Sequence, residues 1–403
     1  MRIQRETYLS EIDKYREKNL IKVLTGIRRS GKSTLMELYI DRLKSDGVTD
    51  DRIQHYNFES PLVERELGTD WNSIFYEIYD KLNPEKMNCI FLDEIQQVPH
   101  FERLIDGLYV EKNIDLYLTG SNALLLSGEL ATLLTGRSIE IHVLPYSFEE
   151  YTAAVHDDKS DYERFHLDFM QDSTLPEALT LKEAGRDAVL NYVNSVYQSI
   201  IEKDIYPRIR NINRRVFENV FKYVLSNIGS EISPFSISKA LNQDGVSLRH
   251  ETVSDYLQKM CDSYLLYKVS RFDIKGKQQL ATLEKYYVPD LAIRYLLVGR
   301  RDFSDRGHLL ENIVYLELLR RGGQIWVGKN TSSEIDFVVK KNDGTLTYYQ
   351  VSHSVSDEAT FEREIRPLMQ TKDAYPKYLI VGELFTGNHE GIHIVNIAEW
   401  LGK

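Results

Sequence analysis

The stretch Gly26-Ile27-Arg28-Arg29-Ser30-Gly31-Lys32-Ser33-Thr34 fills every fixed position of the pattern G-x-x-x-x-G-K-[ST], directly behind an apolar run at residues 21–24. Its two glycines let a backbone wrap around a polyphosphate with no Cβ in the way, so that successive N–H groups point at the anion. Lys32 supplies a mobile cation for the outer phosphates, and Ser33 offers a hydroxyl to Mg²⁺. The run that follows lacks Gly and Pro and can begin a helix whose positive end faces the phosphates. The spacing therefore predicts an ATP cradle made of Gly26, Ile27, Arg28, Arg29, Ser30, Gly31, Lys32, Ser33 and Thr34, with Mg²⁺ as cofactor.

A chain of 403 residues exceeds what one core normally supports, so several domains are expected. Apolar runs at 21–24, 53–58, 89–92, 116–118 and 139–144 alternate with longer amphipathic segments. That rhythm predicts an α/β domain over residues 1–150, with a parallel sheet covered on both faces. The cradle then sits at the carboxyl end of the first strand, where open sheets of this kind bind ligands.

The strand Cys89-Ile90-Phe91-Leu92-Asp93-Glu94 ends in two carboxylates, the form of a Walker B element. Asp93 would hold Mg²⁺ opposite Ser33, and Glu94 would orient and deprotonate the attacking water. The strand Asp115-Leu116-Tyr117-Leu118-Thr119-Gly120 ends beside the same edge in Ser121 and Asn122, candidates to sense the outer phosphate or hold the water; a capped turn is the alternative. Arg137 stands just before the fifth strand. Ring-forming ATPases with two-carboxylate strands carry there an arginine that reaches a neighbouring subunit's ATP, which implies a homo-oligomer with shared sites; a surface contact at a helix end is the other reading.

The segments IKVLTGIRRSGKSTL at 21–35, FLDEIQQV at 91–98, LTGSNALLLSGELATLLTGR at 118–137 and LPYSFEEY at 144–151 resemble the AAA-14 type bacterial and archaeal ATPases that carry a C-terminal DUF4143 domain. The resemblance covers nearly the whole chain. It implies an ATPase of the AAA+ or STAND-related branch and leaves the biological task unassigned.

Residues 151–228, after a polar connector at 157–161, are dominated by helical periodicity and predict a helical lid or linker. Residues 229–300 have the order of a winged helix: a helix at 232–241, a turn, an amphipathic helix at 250–261, then two strands joined by Lys275-Gly276-Lys277. Such a module reads DNA or serves as a lid. Residues 201–300 hold 16 Lys+Arg against 11 Asp+Glu, a balance of +5 inside a chain of net charge −11, which keeps DNA open as a partner. Glu251 and Asp255, on or near the face that would enter the groove, count against it.

Residues 301–403 resemble a PD-(D/E)xK nuclease core in αβββαβ order, whose acids bind Mg²⁺ and activate water. Glu311 and Asp336 match that pattern. Gln350 stands where the second acid is expected and Ser352 where the lysine is, so a nuclease-like domain without nuclease chemistry is predicted, with a degenerate metal site at Glu311, Asp336 and Gln350.

No apolar stretch approaches the roughly 20 residues that cross a bilayer. No apolar signal segment follows Met1-Arg2-Ile3, and Cys89 and Cys261 read as buried thiols of a reducing compartment. A cytoplasmic protein that does not engage membranes is expected. Three functions compete: an ATP hydrolase that moves its C-terminal domains, an ATP-dependent switch with slow turnover, and an ATP-gated DNA nuclease.

Overall fold

The computed structural model describes residues 3–121, 135–155, 162–210, 212–243, 248–274, 276, 278–299, 306–330 and 333–402. Asn122, Lys275, Lys277 and the connector at 157–161 lie outside them. The chain forms two compact units, residues 1–145 with 262–264, and residues 146–261 with 265–403.

In the first unit, β1 (Ile21–Thr25), β2 (Ile53–Asn57), β3 (Asn88–Asp93), β4 (Ile114–Thr119) and β5 (Ser138–His142) form one sheet in the order β2-β3-β4-β1-β5. All four pairings are parallel, as the alternation of strand and helix predicts. Side chains alternate between two cores because strand residues have a period of two. Val23, Ile90, Leu92, Leu116 and Leu118 pack with Ile74, Ile78, Leu104 and Leu108 on one face. Leu24, Cys89, Phe91 and Tyr117 pack with Leu35, Met36, Tyr39 and Leu43 on the other, together with Tyr8, Leu9 and Ile12 of the first helix. This second face also buries Lys22, whose ammonium pairs with Asp115, both side chains being wholly inaccessible.

The second unit begins with helices, including Arg186–Ser199, which runs into a π-turn at Ile200–Ile205. The helices Pro234–Gln243 and His250–Asp262 precede an antiparallel hairpin of β6 (Tyr267–Asp273) and β7 (Gln278–Tyr287), in the order expected for residues 229–300. The hairpin does not stand apart as a wing. β6 also pairs in parallel with β8 (Gln324–Lys329), and the sheet continues through β9 (Glu334–Lys340), β10 (Leu346–Ser352), β11 (Lys377–Val381), β12 (Gly387–His389) and β13 (Ile392–Asn396) in the order β12-β13-β11-β10-β9-β8-β6-β7. Phe272 and Ile274 share one core with Ile335, Val338, Leu346 and Tyr348. Strands on both sides of the expected boundary at residue 300 therefore share one sheet and one core.

Candidate functional site

The loop after β1 takes its shape from two positive-φ glycines, Gly26 at +134° and Gly31 at +96°. At Gly26 a Cβ would lie 2.2 Å from the Val143 carbonyl oxygen, so no other residue fits there. Gly31 caps the helix Lys32–Ser45, whose first turn therefore opens onto the loop. The Lys32 ammonium donates back to the carbonyl oxygens of Gly26 and Ile27 at 3.0 and 3.1 Å, which holds a cation over the loop's interior. Ser33 is half-buried on the helix's first turn, and Arg29 and Thr34 are exposed. Arg28 is buried and pairs with Glu59 at 2.9 Å. Within the cradle the Ser30 hydroxyl is buried with no hydrogen-bond partner among the described residues.

Arg5, which the motif does not reveal, braces this loop from outside. Its guanidinium donates to the Ser30 carbonyl at 2.8 Å and to the Leu144 carbonyl at 2.7 Å, and it is 4% exposed. Buried carbonyls need such donors, and here one planar fork satisfies two.

The two carboxylates lie at the end of β3, one strand beyond β4 from the loop, about 10 Å away by ordinary strand spacing. Asp93 is fully buried. Its Oδ1 accepts the Thr119 hydroxyl and its Oδ2 the Asn57 side-chain amide at 3.0 Å, so the tips of β2 and β4 fix it from both sides. Glu94 has a left-handed backbone, φ 53° and ψ 46°, and its N–H donates to Thr119 Oγ1 at 2.9 Å. A non-glycine residue held there costs on the order of 1–3 kcal/mol and persists only when its surroundings impose it. Gln96 donates to the Glu94 carboxylate. Besides Arg5, sequence reasoning missed Asn57, Thr119 and Gln96; the signal for Asn57 and Thr119 was that apolar strands end on polar side chains at the same edge.

Gly120 follows β4 and donates its N–H to Leu24 at 3.1 Å, and Ser121 behind it is buried with an unpartnered hydroxyl among the described residues. Those orphaned hydroxyls, the glycine cradle and the Lys32 cation are what a polyphosphate would complement. Ser33, on the first turn of the helix Lys32–Ser45, and Asp93, at the end of β3, carry oxygen atoms that could serve a divalent cation. The described residues contain no group of three or more His, Cys, Asp or Glu that could hold a metal ion.

Arg137 is not brought to this edge. It precedes β5, at the opposite end of the sheet from the loop, where its carbonyl accepts the Ile21 N–H at 2.8 Å. Its guanidinium meets Asp106 at 3.1 Å and lies 5.3 Å from the centre of the Tyr109 ring.

In the second unit, Glu311 and Asp336 do converge, but on a lysine. The Lys285 ammonium lies 2.8 Å from Glu311, 2.7 Å from Glu334 and 3.6 Å from Asp336. Burial opposes its charge, yet the surrounding carboxylates of Glu311, Asp336 and Glu334 outweigh that and raise its pKa. Burial would raise Glu311 too, but Lys285 prevails and lowers it; burial, then the Glu311 charge, hold Asp336 well above the usual carboxylate range. Gln350 faces this group only through its carbonyl, 3.4 Å from the Asp336 N–H, and its amide donates to Glu364 at 3.0 Å. Ser352 donates to the Ser354 carbonyl. On the helix His250–Asp262, the side chains of Glu251, Ser254 and Asp255 are exposed, so the outward face carries two acids.

Comparison with known proteins adds the following. Residues 18–152 match a family described as an AAA domain, and residues 171–304 a domain of unknown function, DUF8612. The second match is a different domain from the DUF4143 that the resemblance implied. The chain is 34% identical over 403 residues to an uncharacterized protein of Haemophilus influenzae, covering 99% of this chain and 98% of that one. It is 26% identical over 399 residues to uncharacterized protein MJ1544 of Methanocaldococcus jannaschii, covering 94% and 85%. A solved Walker-type ATPase of Pyrococcus abyssi aligns with a TM-score of 0.48 at 14% identity, over 73% of this chain and 95% of that one. No helix among the described residues is long and apolar enough to cross a membrane.

Proposed function

The chain belongs to the family of that uncharacterized Haemophilus influenzae protein and carries an AAA-type P-loop domain over residues 18–152; from this we propose that it binds and hydrolyses ATP. The observation that carries the reading is the pair Asp93 and Glu94, held by Thr119 and Asn57 at the same sheet edge as the Gly26 to Lys32 cradle. In this reading the loop amides and Lys32 bind the phosphates, and Ser33 and Asp93 hold Mg²⁺. The bound metal supplies charge neutralisation across the outer phosphates. Glu94 orients a water and takes its proton, while Ser121, just after β4, and Asn122, which follows it in sequence, would sense the outer phosphate. Arg137, at the far end of its own sheet, would serve the ATP of a neighbouring copy, so the working form is an oligomer with shared sites.

Phosphate release by the wild type, Lys32→Ala and Glu94→Gln tests this. Turnover should exceed background in the wild type and fall by roughly 10²–10⁴-fold in Glu94→Gln while ATP binding survives. Equal rates in all three proteins would sink the hydrolytic reading. For the shared site, mixing Arg137→Ala with Glu94→Gln subunits should restore part of the activity, and no rescue at any ratio would argue that each chain works alone.

One observation favours a slower variant, an ATP-timed switch: Gln96 engages the Glu94 carboxylate, which must be released before it can hold water. Gln96→Ala would then raise turnover. DNA remains a partner to be tested by gel shift across a salt series, since phosphate contacts make binding fall steeply with salt. The exposed acids Glu251 and Asp255 argue that any such contact avoids the face of the helix His250–Asp262.

A further inference from the structure

The likeness of the C-terminal region to a PD-(D/E)xK core implies a divalent metal between Glu311 and Asp336, and the residues present do not fit one. A hard cation needs several oxygens converging on a free position. Here that position belongs to the Lys285 ammonium, from a side chain 4% exposed, with Glu311, Glu334 and Asp336 around it. Glu311 and Asp336 have further partners. Tyr287 donates its hydroxyl to Glu311 Oε1 at 2.6 Å, and the Val351 N–H donates to Asp336 Oδ2 at 2.8 Å. His308 Nδ1 lies 3.6 Å from the other Glu311 oxygen.

We propose that Lys285 is the resident cation of this core: its ammonium stands where a divalent metal would bind, closes the site to metal, and fastens the β6–β7 hairpin to β9 and to the helix Arg306–Arg321. The three carboxylates come from that helix and from β9, whereas Lys285 and Tyr287 both come from β7. One charge cluster thus joins the two stretches of chain that the sequence assigns to separate domains. An ammonium offers a single charge and N–H donors, with no open position at which a water could be activated, so no metal-assisted cleavage of a phosphodiester follows from this arrangement. Removing the ammonium would leave converging carboxylates that seek a cation.

The test uses the full-length, nucleotide-free protein and Mn²⁺ as probe, read by calorimetric titration and by the electron paramagnetic resonance of free Mn²⁺, for wild type, Asp336→Asn, Lys285→Ala and the double variant. Mn²⁺ binding by the wild type should be unchanged by Asp336→Asn. Lys285→Ala should gain one additional site at least tenfold tighter than any wild-type binding outside the phosphate loop, and the double variant should lose it. A wild-type Mn²⁺ site abolished by Asp336→Asn would overturn the proposal, as would a folded Lys285→Ala protein with no new site. Should Lys285→Ala fail to fold, the comparison of wild type with Asp336→Asn decides alone.

Discussion

The Glu94 N–H donates to the Thr119 hydroxyl oxygen at 2.9 Å while that same hydroxyl donates to Asp93. One β4 side chain thereby sets both the carboxylate that would meet the metal and the left-handed backbone that aims the carboxylate that would meet water. Thr119→Val keeps the shape and removes donor and acceptor together. It should destabilise the chain by about 1–3 kcal/mol, because a buried carboxylate and a buried N–H each lose a partner. ATP turnover should drop further than ATP affinity. Thr119→Ser should restore both in urea melts and phosphate-release assays, and a Val variant with unaltered kcat would remove Thr119 from the site.

Gly26 tests the cradle itself. Alanine there would meet Val143 O at 2.2 Å from a backbone with φ +134°, so the loop must shift. Nucleotide affinity should fall by about tenfold or more, equivalent to roughly 1.4 kcal/mol. Gly307→Ala is the control: it lies in a helix with open space around it, and should be neutral or stabilise by up to about 1 kcal/mol. Fluorescent-nucleotide titration and thermal melts read both.

Arg5 holds the Ser30 and Leu144 carbonyls with one guanidinium. Lysine cannot present that fork, so Arg5→Lys should leave one carbonyl unsatisfied at a cost of about 1–3 kcal/mol. Because Ser30 belongs to the cradle, ATP affinity should fall with it. Stability loss without any change in affinity would show that the brace and the loop are independent.

Lys22 and Asp115 form a wholly buried ion pair beneath the sheet, with Tyr117 and the Glu17 N–H completing the carboxylate's partners at 2.6 and 2.9 Å. Lys22→Met strands the Asp115 charge and should cost about 3–5 kcal/mol. In Lys22→Met with Asp115→Asn the charge is gone but the acceptor for Glu17 remains. The double variant should therefore be more stable than the sum of its singles by about 0.5–3 kcal/mol in denaturant unfolding. Strict additivity would mean that the pair carries no coupling.

Burial raises the Cys89 thiol to about 12, in line with the buried thiol expected from sequence, whereas Cys261, expected to be buried as well, is only half-buried. Since the thiolate is the reactive form, Cys89 should resist a disulfide reagent at pH 8 in the native chain, and denaturation should expose it. A stoichiometry of two fast thiols under native conditions would contradict the buried placement.

Much of the first unit is written locally. The glycines, Lys32 and the apolar runs predict the cradle and its five parallel strands, because strand period and phosphate-loop chemistry act over a few neighbouring residues. Asp93 and Glu94 belong to the same class of signal: a buried strand that ends in acid. What holds them is not local. Thr119, Asn57 and Arg5 act across 26, 36 and 25 residues of chain respectively, and each is an ordinary polar residue until the fold brings its partner near.

The C-terminal half divides in the same way. Sequence alone found the acids Glu311 and Asp336, the missing lysine at Ser352, and the order of helices and strands. Only the tertiary structure decided that a cation is present after all, on β7, and that the hairpin joins the later strands in one sheet. The pairing of β6 with β8 and the reach of Lys285 to Glu311 and Asp336 link residues tens of positions apart. Local propensity does not encode such long-range contacts; burial of apolar surface and neutralisation of buried charge select them once the chain has collapsed.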